Sequence, residues 1–430
     1  MKINFFVLLI AIGLLVSCNN MKKGTSPVNV KVQKNSEGQN RLFVDGKEFF
    51  VNGAGLEFGN IDSLGAHGAN SFRTWRTENG EQTAVEVLDK AQKNGLLVLM
   101  GIEVARERHG FNYNDTVKVL EQFNDIKGQV ERLKSHPALL GWAIGNELNL
   151  GANNLAIYDA VNDLSKMIHQ IDPNHPTTTT LAGIGKREVD YIKEHCTDID
   201  FLSIQMYGDI VNLQTRIADA GWQGPYIVTE WGATGHWEVG KTSWDTPIEQ
   251  TSHEKQKSFL NRYDLAIQAD KINCMGSYAF LWGQKQERTP TWYGMFLESG
   301  AETEIVDAMH YIWNGKWPEN RCPVLDSFKI ENKTAYDNIK VKASSKMNAE
   351  VYYSQFKNDS LKFLWEIIPE SNDLKWGGDK ENRPPTIFHV EGTSKMEIAT
   401  PDTIGAYRLF IYVLNNHNKA ATANIPFFVE

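Results

Sequence analysis

Cysteine is scarce in this chain: four among 430 residues, and beyond Cys18 only Cys196, Cys274 and Cys322. Three is an odd number, at no metal-like spacing, which argues against a disulfide framework; these residues read as buried thiols. Zinc-type cysteine pairs, an H-E-x-x-H segment and an EF-hand loop are absent, so the expected set of metals and other cofactors is none. A basic stripe is also missing. The formal net charge is −9, with lysine and arginine scattered, which argues against a nucleic-acid partner. After the first 17 residues no apolar run is long enough to span a bilayer. Internal repeats and low-complexity tracts are lacking as well.

The N-terminal stretch 1–18, MKINFFVLLIAIGLLVSC, has an early lysine, an apolar run and then Leu15-Val16-Ser17-Cys18. This pattern is a secretory signal ending in a lipobox. It predicts lipidation of Cys18, which would tether a bacterial lipoprotein to a membrane on the periplasmic side or at the cell surface. The segment 19–40 is then read as a tether, its polar start carrying Gly24, Ser26 and Pro27.

Hydrophobic residues make up 41% of the chain, enough for a large core and more than one domain. Eight short apolar runs begin near Phe49, Asn70, Leu96, Ala138, Thr177, Phe201, Tyr226 and Met275. Helical patterns lie between them, such as Val119, Leu120, Phe123, Ile126 and Val130, or Ile157, Val161, Leu164 and Ile168. Near-continuous apolar strands alternating with helices predict an α/β fold, a (β/α)8 TIM barrel over 41–318. The pattern changes after Trp313. A breaker-rich linker precedes strand-like runs near Val324, Ile339, Glu350, Phe363, Thr386, Ala406 and Ile425. Their spacing predicts a C-terminal all-β domain over 322–430, an Ig-like or fibronectin-like sandwich.

The fourth run, ALLGWAIGNELNL over 138–150, is apolar until it ends in Asn146 and Glu147. The seventh ends in Thr229-Glu230-Trp231. In a parallel barrel both glutamates stand at the C-terminal mouth, and a carboxylate pair there suits glycoside hydrolysis. The segment HPALLGWAIGNELN over 136–149 is similar to the strand-four signature of the glycoside hydrolase family 2 catalytic domain. The layout as a whole resembles clan A glycoside hydrolases, families 72 and 5 included.

That resemblance implies Glu147 as acid/base and Glu230 as nucleophile. It further implies that Arg73 lies against the nucleophile, that Tyr207 hydrogen-bonds it, that Asn146 binds the sugar 2-hydroxyl and that Trp282 floors the sugar subsite. Physically, the acid must be protonated and the nucleophile ionised, so their environments should differ.

The stretch 235–242, GHWEVGKT, matches the P-loop pattern G-x4-G-K-[ST] formally. It holds bulky residues and a poor helix start follows it, so it reads instead as the long loop after strand seven. His236, Trp237 and Trp244 in that loop are expected to line sugar subsites, with Trp75, Trp292, His109 and Glu103 as further candidates. The expected activity is retaining hydrolysis of β-linked glycans, a β-glucan being favoured, with a carbohydrate as the partner molecule. Transglycosylation at the same site, or glycan binding on an inactive barrel, are the alternatives. The intact set Glu147, Glu230, Arg73, Asn146 and Tyr207 favours an active enzyme. Trp365 and Trp376 in the second domain, with the polar loop 376–385, could face sugar and give the sandwich a binding role, but a structural module docked on the barrel is the favoured reading.

Overall fold

The computed structural model describes residues 26–57 and 59–430. All eight apolar runs form parallel strands of one closed barrel. Strands one to four are Val51–Gly55, Ser71–Arg73, Leu97–Ile102 and Leu139–Ile144. Strands five to eight are Thr177–Ala182, Phe201–Gln205, Tyr226–Gly232 and Cys274–Phe280. The eighth closes on the first, from Gly276 opposite Val51 to Ala279 opposite Ala54. Every residue of strands four, seven and eight is buried, because helices cover the outer face and side chains fill the inner one.

The helices start and face as their sequences dictate. Ala84–Lys93 opens on a capping box between Thr83 and Glu86. Ala156–Ile171 buries Ile157, Val161, Leu164 and Ile168, as its period requires. Thr116–Leu133 departs from the expected face. Ile126, Val130 and Leu133 are buried, whereas Leu120 is 59% exposed. Val119 and Phe123 pack half-buried against the barrel core on the same face, and Leu120 lies off that face. The thiols of Cys196, Cys274 and Cys322 are free and buried.

One part of the tether reading needs correction. Within 30–40, Val30–Lys34 is a strand, paired antiparallel with Asn40–Val44, which pairs in turn with Lys47–Phe49. Val30 and Leu42 pack with Val51, Leu140, Phe201, Ile227 and Met275, residues early in barrel strands. The small sheet therefore plugs the N-terminal end of the barrel. Val30 N donates to Asn174 O at 2.8 Å and Asn40 N to Ile272 O at 2.7 Å, which fixes it there. The lipobox and Cys18 lie outside the described residues. Among the described residues no helix is long and apolar enough to cross a membrane.

The C-terminal domain packs two sheets. One runs through Lys419–Val429, Gly405–Asn415, Leu361–Pro369 and Phe388–Gly392, and the other through Val324–Ile330, Lys346–Ser354 and Lys395–Ala399. Lys395–Ala399 has no counterpart among the expected strands. Its alternation is short and two of its five residues are charged, so its apolar signal is weak. The first sheet extends into the barrel domain, where Glu302–Thr303 pairs parallel with Lys419 and Ala420. Buried polar contacts reinforce that join. Lys419 Nζ lies 2.7 Å from Asp307 Oδ1 and 2.6 Å from Glu302 Oε2. Asn424 Nδ2 donates to Glu249 Oε2 at 2.6 Å. The sandwich is thus docked through hydrogen-bonded charges that are costly to bury unpaired.

Candidate active site

Strand four delivers Asn146 and Glu147 through a turn of unusual backbone. Gly145 has φ 75° and Glu147 φ 51°, a left-handed conformation that a glutamate rarely adopts. Neighbouring strands over-determine the turn. Gly145 N donates to Ile102 O at 2.9 Å, and Glu147 N to Thr180 O at 3.1 Å. Thr180 Oγ1 donates to Gly145 O at 2.7 Å. Strained backbone held by its surroundings is a mark of functional sites.

Strand seven delivers Glu230 through a bulge. Val228 opposes Ile204, but the register slips so that Glu230 opposes Gln205. A bulge re-aims a side chain at a barrel rim, and here Glu230 turns into the mouth. Three donors converge on its carboxylate. Arg73 Nη1 reaches Oε1 at 3.3 Å, Trp75 Nε1 reaches Oε1 at 2.6 Å, and Tyr207 Oη reaches Oε2 at 2.9 Å. Arg73 Nη2 also donates to Asn146 Oδ1 at 2.8 Å, and Gln205 Nε2 donates to the same oxygen at 2.7 Å. With Oδ1 occupied by two donors, the amide N–H is what Asn146 offers the cleft.

Glu147 faces a different environment. Burial, then the charge of Glu230, raise its carboxyl well above the usual carboxylate range, against the opposing pull of Arg108, Arg73 and Arg106. Two carboxylates at one mouth thus differ in setting: one biased toward its neutral form, the other gripped by donors.

Both line a cleft of about 1430 Å³. Of the other anticipated residues, Asn146, Tyr207, His236, Trp237, Trp75, Glu103 and His109 line it too, and Arg73 lies beneath it, almost fully buried. Trp237 is 57% exposed and meets Tyr207 edge-on. His236 accepts from Arg288 Nη2 at 3.0 Å. Burial, then the charges of Arg288, Lys241 and Lys285, bring its imidazole down to about 4, so it is neutral at ordinary pH.

Three tryptophan expectations are corrected. Trp282 touches the cleft edge but is fully buried, packed against His67, Phe296 and Trp313 with its Nε1 donating to Asn60 O. The ring that floors the mouth is Phe280, at the end of strand eight, edge-on to Trp75, Tyr207 and Tyr293. Trp292 is buried beneath the loop, its Nε1 on Thr234 O. Trp244 packs on Phe428 of the sandwich, away from the mouth. As for the P-loop pattern, the stretch 235–242 is tied down by its own Glu238, which also reaches the loop after strand six. Its carboxylate accepts from the amides of Gly208, Asp209 and Gly235 at 2.7, 2.9 and 2.8 Å.

Residues 60–289, more than half of the chain, match the family described as glycosyl hydrolases family 2, TIM barrel domain. The chain belongs to this family. Among curated relatives, a β-glucuronidase of Sus scrofa is 24% identical over 271 residues, 56% of this chain and 39% of that protein. A β-glucuronidase of Streptococcus agalactiae is 26% identical over 218 residues, 44% of this chain and 35% of the relative. The chain thus spans well under half the length of these relatives. Among solved structures, a β-D-glucuronidase of Dictyoglomus thermophilum superposes with a TM-score of 0.50 at 18% identity, over 68% of this chain and 54% of that one. The shared fold is a clan A barrel.

Proposed function

We propose that the protein is a retaining β-glycosidase that works by double displacement. The observation that carries this reading is the pair Glu147 and Glu230, delivered by strands four and seven to one cleft in contrasting environments. Glu230 attacks the anomeric carbon while the proton of Glu147 passes to the leaving oxygen and the glycosidic bond breaks. Water then enters, gives its proton to the Glu147 carboxylate and displaces Glu230, which restores both groups. The Asn146 amide, aimed by Arg73 and Gln205, binds the sugar 2-hydroxyl, a contact that tightens as charge develops at the anomeric carbon. Tyr207 and Trp75 hold the nucleophile, and His236, Trp237 and Phe280 contact the sugar.

The β-glucan preference rests on the likeness in barrel layout to families 72 and 5, whereas the names of the relatives point to β-D-glucuronides, so the assay carries both. Wild type, Glu147→Ala and Glu230→Ala are to be compared on β-glucan oligosaccharides and on aryl β-D-glucosides and β-D-glucuronides, with product configuration followed by NMR. The expected result is retained configuration and a loss of orders of magnitude in both variants. Inverted product, or a variant as active as wild type, overturns the assignment. We further propose that Cys18 carries lipid and anchors the enzyme to a bacterial membrane. Labelled palmitate should enter wild type and not Cys18→Ser.

A further inference from the structure

The loop between sandwich strands Leu361–Pro369 and Phe388–Gly392 leaves its own domain, and its residues 375–383 form one wall of the catalytic cleft. The barrel holds this loop at several points. The carboxylate of Glu381, a residue only 2% exposed, accepts from Arg288 N at 2.6 Å, Arg288 Nη1 at 2.9 Å and Lys375 N at 3.0 Å. Arg108 Nη2 donates to Gly377 O at 3.2 Å, and Lys285 Nζ to Gly378 O at 2.7 Å. These glycines have φ 66° and 73°, and that left-handed turn presents both carbonyls to the barrel cations. A Cβ on Gly377 would lie 2.9 Å from Arg108 Cζ, the end of a flexible side chain that can shift, so it is the left-handed φ more than the space that favours glycine there.

Trp376 precedes this clasp. One edge of its indole rests on Gly151, where a Cβ would come within 2.6 Å of the ring. Arg108 Cζ stands 5.9 Å from the ring centroid. The rest of the indole is open, 59% exposed and on the cleft wall. A large apolar ring fixed from behind and bare toward a polar cleft is a platform for the C–H face of a sugar. Asp379, Lys380 and Asn382 on the same wall offer partners for hydroxyls. Gly151 follows Glu147 by four residues, and Arg108, which holds Gly377 and stands beside the Trp376 ring, is near enough for its charge to act on Glu147; both observations put the platform on the acid's side of the cleft, where the leaving group departs.

We propose that the sandwich loop 375–383 builds a leaving-group subsite in which Trp376 stacks on the sugar that Glu147 protonates, so that the site is made for β-linked oligosaccharides. This rests on the β-glycosidase reading. It gives the second domain a part in substrate selection and makes the cleft a product of both domains.

The test compares full-length wild type, Trp376→Ala, Trp376→Phe and Glu381→Ala on laminarihexaose and cellohexaose, and on 4-nitrophenyl β-D-glucoside and β-D-glucuronide. Trp376→Ala should lower kcat/KM for a hexasaccharide about tenfold more than for an aryl glycoside, mainly through KM. Trp376→Phe should recover most of that loss, because a platform remains. Glu381→Ala, which frees the loop, should resemble Trp376→Ala. Equal losses on both substrate types, or no rescue by phenylalanine, overturn the subsite. If wild type hydrolyses none of these substrates, the glycosidase reading fails by itself. Titration calorimetry of both hexasaccharides against wild type and Trp376→Ala then decides the subsite: weaker binding by the variant keeps it, whereas equal or absent binding overturns it.

Discussion

Tyr207→Phe removes one oxygen from the site and leaves the ring in place. The hydroxyl donates to Glu230 Oε2 at 2.9 Å, while edge contacts with Trp237, Phe280 and Tyr293 hold the ring independently. A hydrogen bond to a charged group contributes about 1.5–3 kcal/mol. At the usual conversion this predicts a loss of roughly 10- to 150-fold in kcat. Oε1 keeps its contacts with Arg73 and Trp75, so the carboxylate stays in position and KM should change little. Burial, then the charges of Glu230 and Glu147, hold the phenol well above its ordinary range, so it remains a donor throughout the working pH. Ionisation of the phenol itself therefore adds no alkaline pH dependence to the ratio of wild-type to variant rate. Steady-state kinetics on an activated aryl β-glycoside, with melting temperatures as a control for folding, make the test. A variant with wild-type kcat and an intact fold, or a loss carried wholly by KM, would refute the role of Tyr207 in holding the nucleophile.

The raised carboxyl of Glu147 predicts an alkaline limb in the pH–rate profile that lies above the usual carboxylate range, because the acid step of the proposed mechanism needs its proton. Glu147→Gln should abolish that limb, and should harm substrates with poor leaving groups far more than activated aryl glycosides. The same shift has a consequence for stability. A carboxyl whose folded pKa lies above its unfolded value favours folding least once pH exceeds both, so Glu147→Gln should raise the melting temperature at neutral and alkaline pH and leave it unchanged in acid. At the domain junction, Lys419→Ala leaves Asp307 and Glu302 without their buried cation and should cost about 3–5 kcal/mol in denaturant unfolding. An unchanged midpoint would show that the junction contributes little to stability.

The barrel strands were legible because parallel strands covered on both faces must be apolar throughout, and the eight runs found that way became the eight strands. The two glutamates were legible for the complementary reason: an ionisable residue ending such a run stands out against it. Several features were not. Whether Phe280 or Trp282 floors the mouth depends on a two-residue difference at the end of strand eight, and composition ranks the two rings alike. Trp75 read as one more aromatic, and only the fold aims its N–H at Glu230. Lys395–Ala399 escaped notice because a charged, half-exposed strand carries little apolar signal. The stretch 30–40 read as tether because its strand has a single fully buried residue, Val30.

By itself, then, the sequence determined the class of fold, the order of the two domains and the identity of the paired carboxylates, because these follow from local periodicity and from breaks in it. Tertiary structure alone decided what surrounds those carboxylates: the bulge that turns Glu230, the shared grip of Arg73 on Glu230 and Asn146, and the sandwich loop that crosses to wall the cleft. Such features join residues far apart in the chain, as Arg288 and Glu381 are joined, and no local pattern encodes a contact whose partner lies in another domain.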